Sequence, residues 1–341
     1  MADHFLSRSG GGRTGVLSNE DGIFQLRGKA CTQLVEIPDI HFHLNSPMVF
    51  LDPDGALIHG LCQAFFVAED HPDRKVVVAG HADTSGDIRP NYALSLQRAK
   101  CIQAILVGDQ AQWNEVAAKA KVEDLQRTLK SIADLYYWHC DPGEVDGRMG
   151  PTTRKAVEGF QHEANTLLGL GLEHDGIMGP QSWGALLQVF RFLLQRSGAN
   201  LDVAWNFVDS GDDGAYACGE SFPIEQAGRD NFRSQKNRRV EIYFGAAEDL
   251  SPLDPPPSLD ELLTSEQCVL YDSNTCSIDP VSSKSSVSVF RNSPEGDPMP
   301  GVALRLVDGD GNPVGEVGTT NAKGWAHWMG LEPGEYEVQL A

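Results

Sequence analysis

Within GHADTSGDIRPNYALSLQRAK (80–100), a carboxylate and a guanidinium stand fifteen residues apart around a glycine turn. Asp83 follows the apolar run KVVVAG (75–80), which reads as a buried strand, and lies on a loop containing Gly86. In open sheets, ligands bind at that edge, beyond the carboxyl ends of the strands. Arg98 lies two turns beyond Asn91 on a helix rising about 1.5 Å per residue, so folding the helix back beside the strand brings Arg98 toward the Asp83 loop. Such a pair matches a zwitterion, with Asp83 accepting from an ammonium and Arg98 forking onto a carboxylate. A free amino-acid end carries both groups on one carbon. The same two residues also suit an ordinary salt bridge that steadies the loop. His81 invites a metal or general-base reading, but nothing near it in sequence completes a ligand set.

A second constellation is repeated. VDGRMGPTTRKAVEGFQ (145–161) and HDGIMGPQSWGALLQVF (174–190) are two versions of one phrase, 29 residues apart. Each has a turn glycine, then Gly-Pro, then an amphipathic helix. Pro151 and Pro180 suit the first helical position, where a missing N–H costs nothing. Asp146, Arg148 and Asp175 are the loop side chains offered to a ligand. The spaced acids that an EF-hand requires are absent. His139, Cys140, His162 and His174 follow no structural-zinc spacing. No metal or cofactor is expected.

The elements that must carry these residues follow from periodicity. VEIPDIHFHL alternates at Ile40, Phe42 and Leu44, predicting a first strand. A helix is predicted from Asp52 to Glu69, with Asp52 as N-cap, Pro53 at the first position and Leu57, Leu61, Ala64 and Phe65 on one face. A second runs from Asn91 to Val107, with Leu94, Ala99, Ile102 and Ile105 or Leu106 together. Residues 110–200 are then mostly helical, and strand-like text resumes near Val203 and at RRVEIYF (238–244). This order predicts a helical insertion within an α/β domain, in a surface connection where insertions cost little. VEDLQRTLKSIADL (122–135) aligns Leu125, Leu129, Ile132 and Leu135, making a third helix of a bundle near the lower size limit for independent stability. SPLDPPP (251–257) reads as a semi-rigid linker. From Ser285 the text turns all-β, through VALRLV, DGDGNP, TTNAKGWAHW and EYEVQL.

The whole-chain figures narrow the function classes. The chain has 341 residues, enough for two or three cores, and a formal net charge of −21. That charge argues against nucleic acid and anionic membrane surfaces as partners. No run approaches the roughly eighteen apolar residues of a membrane span. MADHFLSRSGGGRTG has no apolar core of a secretory signal, so the expectation is a bacterial protein made in the cytoplasm. Either its leader is missing from this sequence or it leaves by another route, such as a dedicated machine to the cell envelope or periplasm, if it leaves at all. Seven scattered cysteines (31, 62, 101, 140, 218, 268 and 276) read as buried thiols of a reducing compartment, with Cys268 and Cys276 the one close pair. HExxH and GxSxG are missing, and no Cys/His arrangement stands out, so no enzyme is expected.

GHADTSGDIRPNYALSLQRA, GESFP (219–223) and NRRVEIYF (237–244) together resemble the OmpA C-terminal-like domain of outer-membrane lipoproteins and flagellar motor stators. The resemblance covers about residues 31–108 and 201–245. It implies non-covalent binding of peptidoglycan through the diaminopimelate of the stem peptide. Position by position, it implies that Asp83 binds the ammonium and Arg98 the carboxylate, with Asn91 as the loop asparagine. Asn45, in the HLNS turn, would be another ligand-facing asparagine, and reads equally as a turn residue without ligand. Arg238 or Arg239, with Arg238 favoured, would be a second basic contact. Ala82 stands where many relatives have threonine, and His81 is structural in family terms. Residues 118–196 resemble the peptidoglycan-binding domain 1 family found beside wall amidases and other lytic enzymes. Residues 285–341 resemble carboxypeptidase-regulatory-like or Cna-B-type β-sandwiches, with Trp325, Trp328 and Tyr336 expected in the core.

The expectation is thus a multidomain α/β (α+β) protein. It has an N-terminal arm (1–30), an OmpA-like domain (31–108 and 201–245), an inserted three-helix bundle (118–196), a linker (246–284) and a β-sandwich (285–341). The expected function is non-catalytic peptidoglycan binding, with linked sites raising avidity on a polymeric wall. The alternative is a structural or adaptor component of a secretion or contractile injection system, docking on machine proteins. A cell-wall hydrolase using two spaced carboxylates is the third reading.

Overall fold

The computed structural model describes residues 31–38, 41–52, 56–208, 214–245 apart from 221, 222, 224, 227 and 228, and 285–341 apart from 291–298, 322–323 and 332–335. It also describes four two-residue strands: β1 (Ser18–Asn19) pairs with β2 (Gly22–Ile23), and β3 (Gln25–Leu26) pairs with β8 (Tyr271–Asp272). Pro53, the 251–257 linker and most of the 1–30 arm lie outside the described residues.

A four-stranded sheet carries the first constellation. Its order is β4 (Cys31–Pro38), β7 (Arg239–Gly245), β5 (Lys75–His81), β6 (Ala215–Gly219). β7 is antiparallel to both β4 and β5, and β5 is parallel to β6. Val76 and Val78 of β5 join Val240, Ile242 and Phe244 in the apolar core. Alternation sends His81, Arg239, Glu241 and Tyr243 to the opposite face, where all four are buried.

Two helices pack on the apolar face. α1 (Ala56–Asp70) begins later than expected, and Asp52 Oδ1 accepts from Leu57 N in its first turn at 2.9 Å. α2 (Ile88–Val107) lies so close to β5 that a Cβ on Gly80 would come within 1.9 Å of the Ser95 carbonyl oxygen. Ser95 Oγ also accepts from Gly219 N at 3.0 Å, fastening the helix to the edge strand.

Two strand expectations need correction. The first strand ends at Pro38, and Phe42 makes only an isolated bridge to Val49. The chain reverses there, with Ser46 N donating to His43 O at 3.0 Å and Phe50 N to His41 O at 2.9 Å, so the alternation marks a folded-over loop. Near Val203 there is no strand, only a Phe207–Val76 bridge. Val203 and Trp205 pack as loop residues on the core, and the fourth strand is AYACG (β6).

Between α2 and β6 come four helices: α3 (Gln110–Ala117), α4 (Val122–Tyr136), α5 (Pro151–Leu168) and α6 (Pro180–Arg196). One apolar cluster runs from Phe42, Leu61 and Phe65 through Ile102 and Leu106 to Trp113, Leu129, Phe160, Phe190 and Leu194. The helical segment therefore shares a core with its host. Polar contacts reinforce the seam, since Arg191 Nη1 donates to the Ile105 and Leu106 carbonyls, each at 2.8 Å, at the end of α2.

Toward the C-terminus, β9 (Ser285–Phe290) pairs with β12 (Trp325–Leu331), and a second sheet has the order β11 (Pro313–Thr319), β10 (Ala303–Asp308), β13 (Tyr336–Leu340). Leu304, Leu306, Ala326, Trp328 and Leu331 form a separate small core, with Tyr336 packed against it. The Trp325 side chain lies outside the described residues. Cys62, Cys101 and Cys140 are buried free thiols, whereas Cys218 is disulfide-bonded, so the cysteines are not uniformly reduced.

Candidate functional site

Asp83 lies two residues beyond β5, in a loop tied to the edge strand by Ala82 N donating to Gly219 O at 2.7 Å. Asp83 is only 3% exposed, and its carboxylate accepts four bonds. Oδ1 takes Ser85 N (3.2 Å) and Ser85 Oγ; Oδ2 takes Ser234 N (3.2 Å) and an ion pair from Arg238 Nη1. Burial opposes ionisation, but the bonds from Ser85, Arg238 and Ser234 outweigh it and hold the carboxyl below its usual range. Asn91 Nδ2 donates to Asp83 O (3.1 Å), Ser85 O (3.0 Å) and Glu220 Oε1 (2.7 Å), locking the turn to the start of α2.

Strand register gives the two adjacent arginines different partners. Arg238 precedes β7 and reaches Asp83. Arg239 begins β7 and is fully buried, its Nε bonded to Glu241 Oε1 at 2.6 Å. Glu241 also meets His81 Nε2 at 2.9 Å and the Tyr243 hydroxyl. Burial disfavours its charge, yet Arg239 and His81 hold its carboxyl well below the usual carboxylate range.

The structure joins Asp83, Asn91 and Arg238 in one bonded group and buries Arg98 against the 41–51 loop. Arg98 has no exposed surface: Nε donates to Ser46 O and Nη2 to His43 O, both at 3.1 Å, and its guanidinium lies 4.9 Å from the Phe42 ring centre. None of Asp83's bonds goes to it. Asn45 is exposed in the turn above, in the left-handed conformation at φ 54°. α4 grips this same loop from outside. Ser46 Oγ donates to Asp124 Oδ2, Leu51 N donates to Thr128 Oγ1 at 3.2 Å, and Lys121 Nζ donates to Leu44 O.

The repeated phrase forms two equivalent loops. In the first, Gln126 Nε2 on α4 donates to Asp146 Oδ1 (2.8 Å), Arg148 O (3.2 Å) and Thr153 Oγ1 (3.0 Å), and its Oε1 accepts from Gly147 N (2.9 Å). In the second, Gln161 Nε2 on α5 donates to Asp175 Oδ1 (2.9 Å), Ile177 O (3.1 Å) and Ser182 Oγ (3.0 Å), and Oε1 accepts from Gly176 N (3.1 Å). Asp146 and Asp175 also bond the N–H two residues on, each at 2.9 Å. Both carboxylates therefore build the loops. Gly147 (φ 71°) and Gly176 (φ 68°) are left-handed, and a Cβ on Gly176 would lie 2.8 Å from Arg154 O.

Gln126, Gln161, Ser85 and Ser234 are the organising residues that sequence reasoning missed. The glutamines had a signal, since each ends an apolar-Gln pair (Leu125–Gln126, Phe160–Gln161) on the helix before its loop. Among the described residues, no group of three His, Cys, Asp or Glu side chains is placed to hold a metal, and no helix is long and apolar enough to cross a membrane.

Residues 119–186 match the family model described as "Putative peptidoglycan binding domain". The match spans α4, α5, both loops and the start of α6. It supports peptidoglycan binding in general and association with the cell envelope. No curated protein and no solved structure matches the chain.

Proposed function

We propose that the protein holds peptidoglycan non-covalently through two surfaces, one on the helical insert and one at the Asp83 loop. The observation that carries this reading is the family match over residues 119–186, which coincides with two loops built on one glutamine-to-Asp-Gly pattern. The Cys218 disulfide suits an oxidising envelope compartment.

The finer reading is that the Asp83 loop takes the zwitterionic end of diaminopimelate. All four acceptor positions of Asp83 are filled, so an incoming ammonium displaces a donor. Displacing Arg238 Nη1 from Asp83 turns that end of the guanidinium, 12% exposed in its side chain, to the ligand carboxylate. Asn91 keeps the turn in place. Arg98 contributes only when the Asn45 turn lifts, because the His43 and Ser46 carbonyls occupy its guanidinium.

The test is co-sedimentation of the full chain with purified sacculi. Retention is expected on diaminopimelate-type walls, with about tenfold weaker binding to lysine-type walls, which lack the side-chain carboxylate, and for Arg238→Gln. Failure to sediment with either wall overturns the general reading. Equal retention on both walls, unchanged in Arg238→Gln, overturns the diaminopimelate reading alone. Docking within a secretion or injection machine is a second reading, favoured by the separate core of the C-terminal strands. Under it, removing 285–341 abolishes capture by machine components and leaves wall binding intact.

A further inference from the structure

The end of α4 departs from the end of its repeat. α5 closes on Gly169 in the left-handed conformation, φ 66°, whereas α4 closes on Tyr137 at φ 57°. Both cap N–H groups donate four residues back, to Ala133 O and Asn165 O. Glycine adopts this backbone freely, while an aromatic residue crowds its own Cβ against the following carbonyl. Packing does not compensate, because Tyr137 is 88% exposed.

Its neighbours are firmly anchored. Trp138 packs against Phe160 with ring centres 6.0 Å apart, and His139 Nδ1 bonds to Glu163 Oε1 at 2.8 Å. Cys140 is buried with Sγ 3.4 Å from Leu129 O. α5 presses against this segment so closely that a Cβ on Gly159 would lie 1.8 Å from His139 O. Tyr136, one residue earlier, is 40% exposed. A strained backbone, held from both sides, thus presents an aromatic ring to solvent. Such an arrangement offers a flat apolar face that loses little freedom when covered.

We infer that Tyr137, beside Tyr136, is a stacking platform for a pyranose ring of the wall glycan. This rests on the proposed wall binding and names which part of the polymer the helical insert takes. Peptidoglycan offers two chemistries, charged stem peptides and neutral N-acetylated sugar rings. The Asp83 loop is charged and suits the peptide. Beside the Tyr137 turn His139 is paired with Glu163 and Lys130 with Asp141, and the ring itself suits the C–H face of a sugar. The signal is the strain itself, since a left-handed aromatic kept at a surface where glycine would fit points to function.

The test uses the full chain with Tyr137→Gly, which removes the ring and relaxes the backbone. The variant should melt no lower than the parent, so lost binding is not lost folding. Two probes are used, whole sacculi and glycan strands stripped of peptide by an amidase. The parent should bind both; Tyr137→Gly should bind both about tenfold more weakly, and Tyr137→Trp should restore binding. The inference is overturned if the variant binds stripped strands as well as the parent, or if the parent binds sacculi but not stripped strands; either result leaves wall binding standing. If the parent binds neither, the wall reading falls and this one with it.

Discussion

A buried glutamine amide has two donors and an acceptor to satisfy, and Gln126 and Gln161 each direct all of them at one loop. Removing either amide takes the acceptor from a glycine N–H and one of two donors from an aspartate oxygen and a carbonyl. We expect Gln126→Leu and Gln161→Leu each to cost about 1–3 kcal/mol, the penalty for orphaned buried polar groups. Urea unfolding of the full chain measures this. Losses under about 0.5 kcal/mol in both variants would show that water replaces the amides and that the loops stand without them. At this scale the sequence was legible where partners are near in the chain. The paired DGxxGP phrases announced two loops, and Asp83 announced itself beyond its strand. Ser234, which donates to Asp83 across 151 residues, left no local trace. Asp146 and Asp175 looked like ligand contacts because an exposed loop acid reads alike whether it holds a ligand or its own backbone.

Helix rise brought Arg98 back toward the Asp83 loop but could not show what would cover it. The covering element is the 41–51 loop, whose alternation resembles a strand, and that loop is clamped from the far side by α4. Asp124 sits in this clamp, 1% exposed, accepting from Ser46 Oγ and from Lys121 N at 2.7 Å. Burial outweighs those bonds and pushes its carboxyl up to about 6. The folded state therefore holds this proton more tightly than the unfolded chain, where a carboxyl titrates near about 3.9. The resulting stabilisation is complete below about pH 4 and is lost as pH rises through about 6, a change on the order of 3 kcal/mol. Asp124→Asn keeps an acceptor for Ser46 and cannot ionise. Its stability curve should therefore lack the parent's decline between about pH 4.5 and 7, and the two curves should diverge most at neutral pH. Parallel curves in chemical denaturation would mean that Asp124 is solvated in the folded protein and that the clamp is looser than drawn.

At the scale of the whole molecule, the largest difference from the sequence reading is that the helical insert does not hang from its host. A repeat phrase is visible in sequence; the fact that α6 buries its apolar face against the host is not, since a helix's stripe does not name its partner. Among the described residues two cores result, one joining the sheet, α1, α2 and the insert, the other drawn from β10–β13. Calorimetry should accordingly show two transitions. Leu129→Ala in α4, a fully buried change worth about 2–5 kcal/mol, should lower the larger transition and speed amide exchange in β5 by the same free energy. Leu306→Ala in β10 should move only the other. If Leu129→Ala instead melts the insert alone and leaves β5 protection unchanged, the shared core is not cooperative. That outcome would reach function as well. On the proposed reading, two wall-binding surfaces built on one shared core would gain avidity only where the wall presents sugar and peptide at a matching separation, whereas independently melting modules would adapt to any spacing.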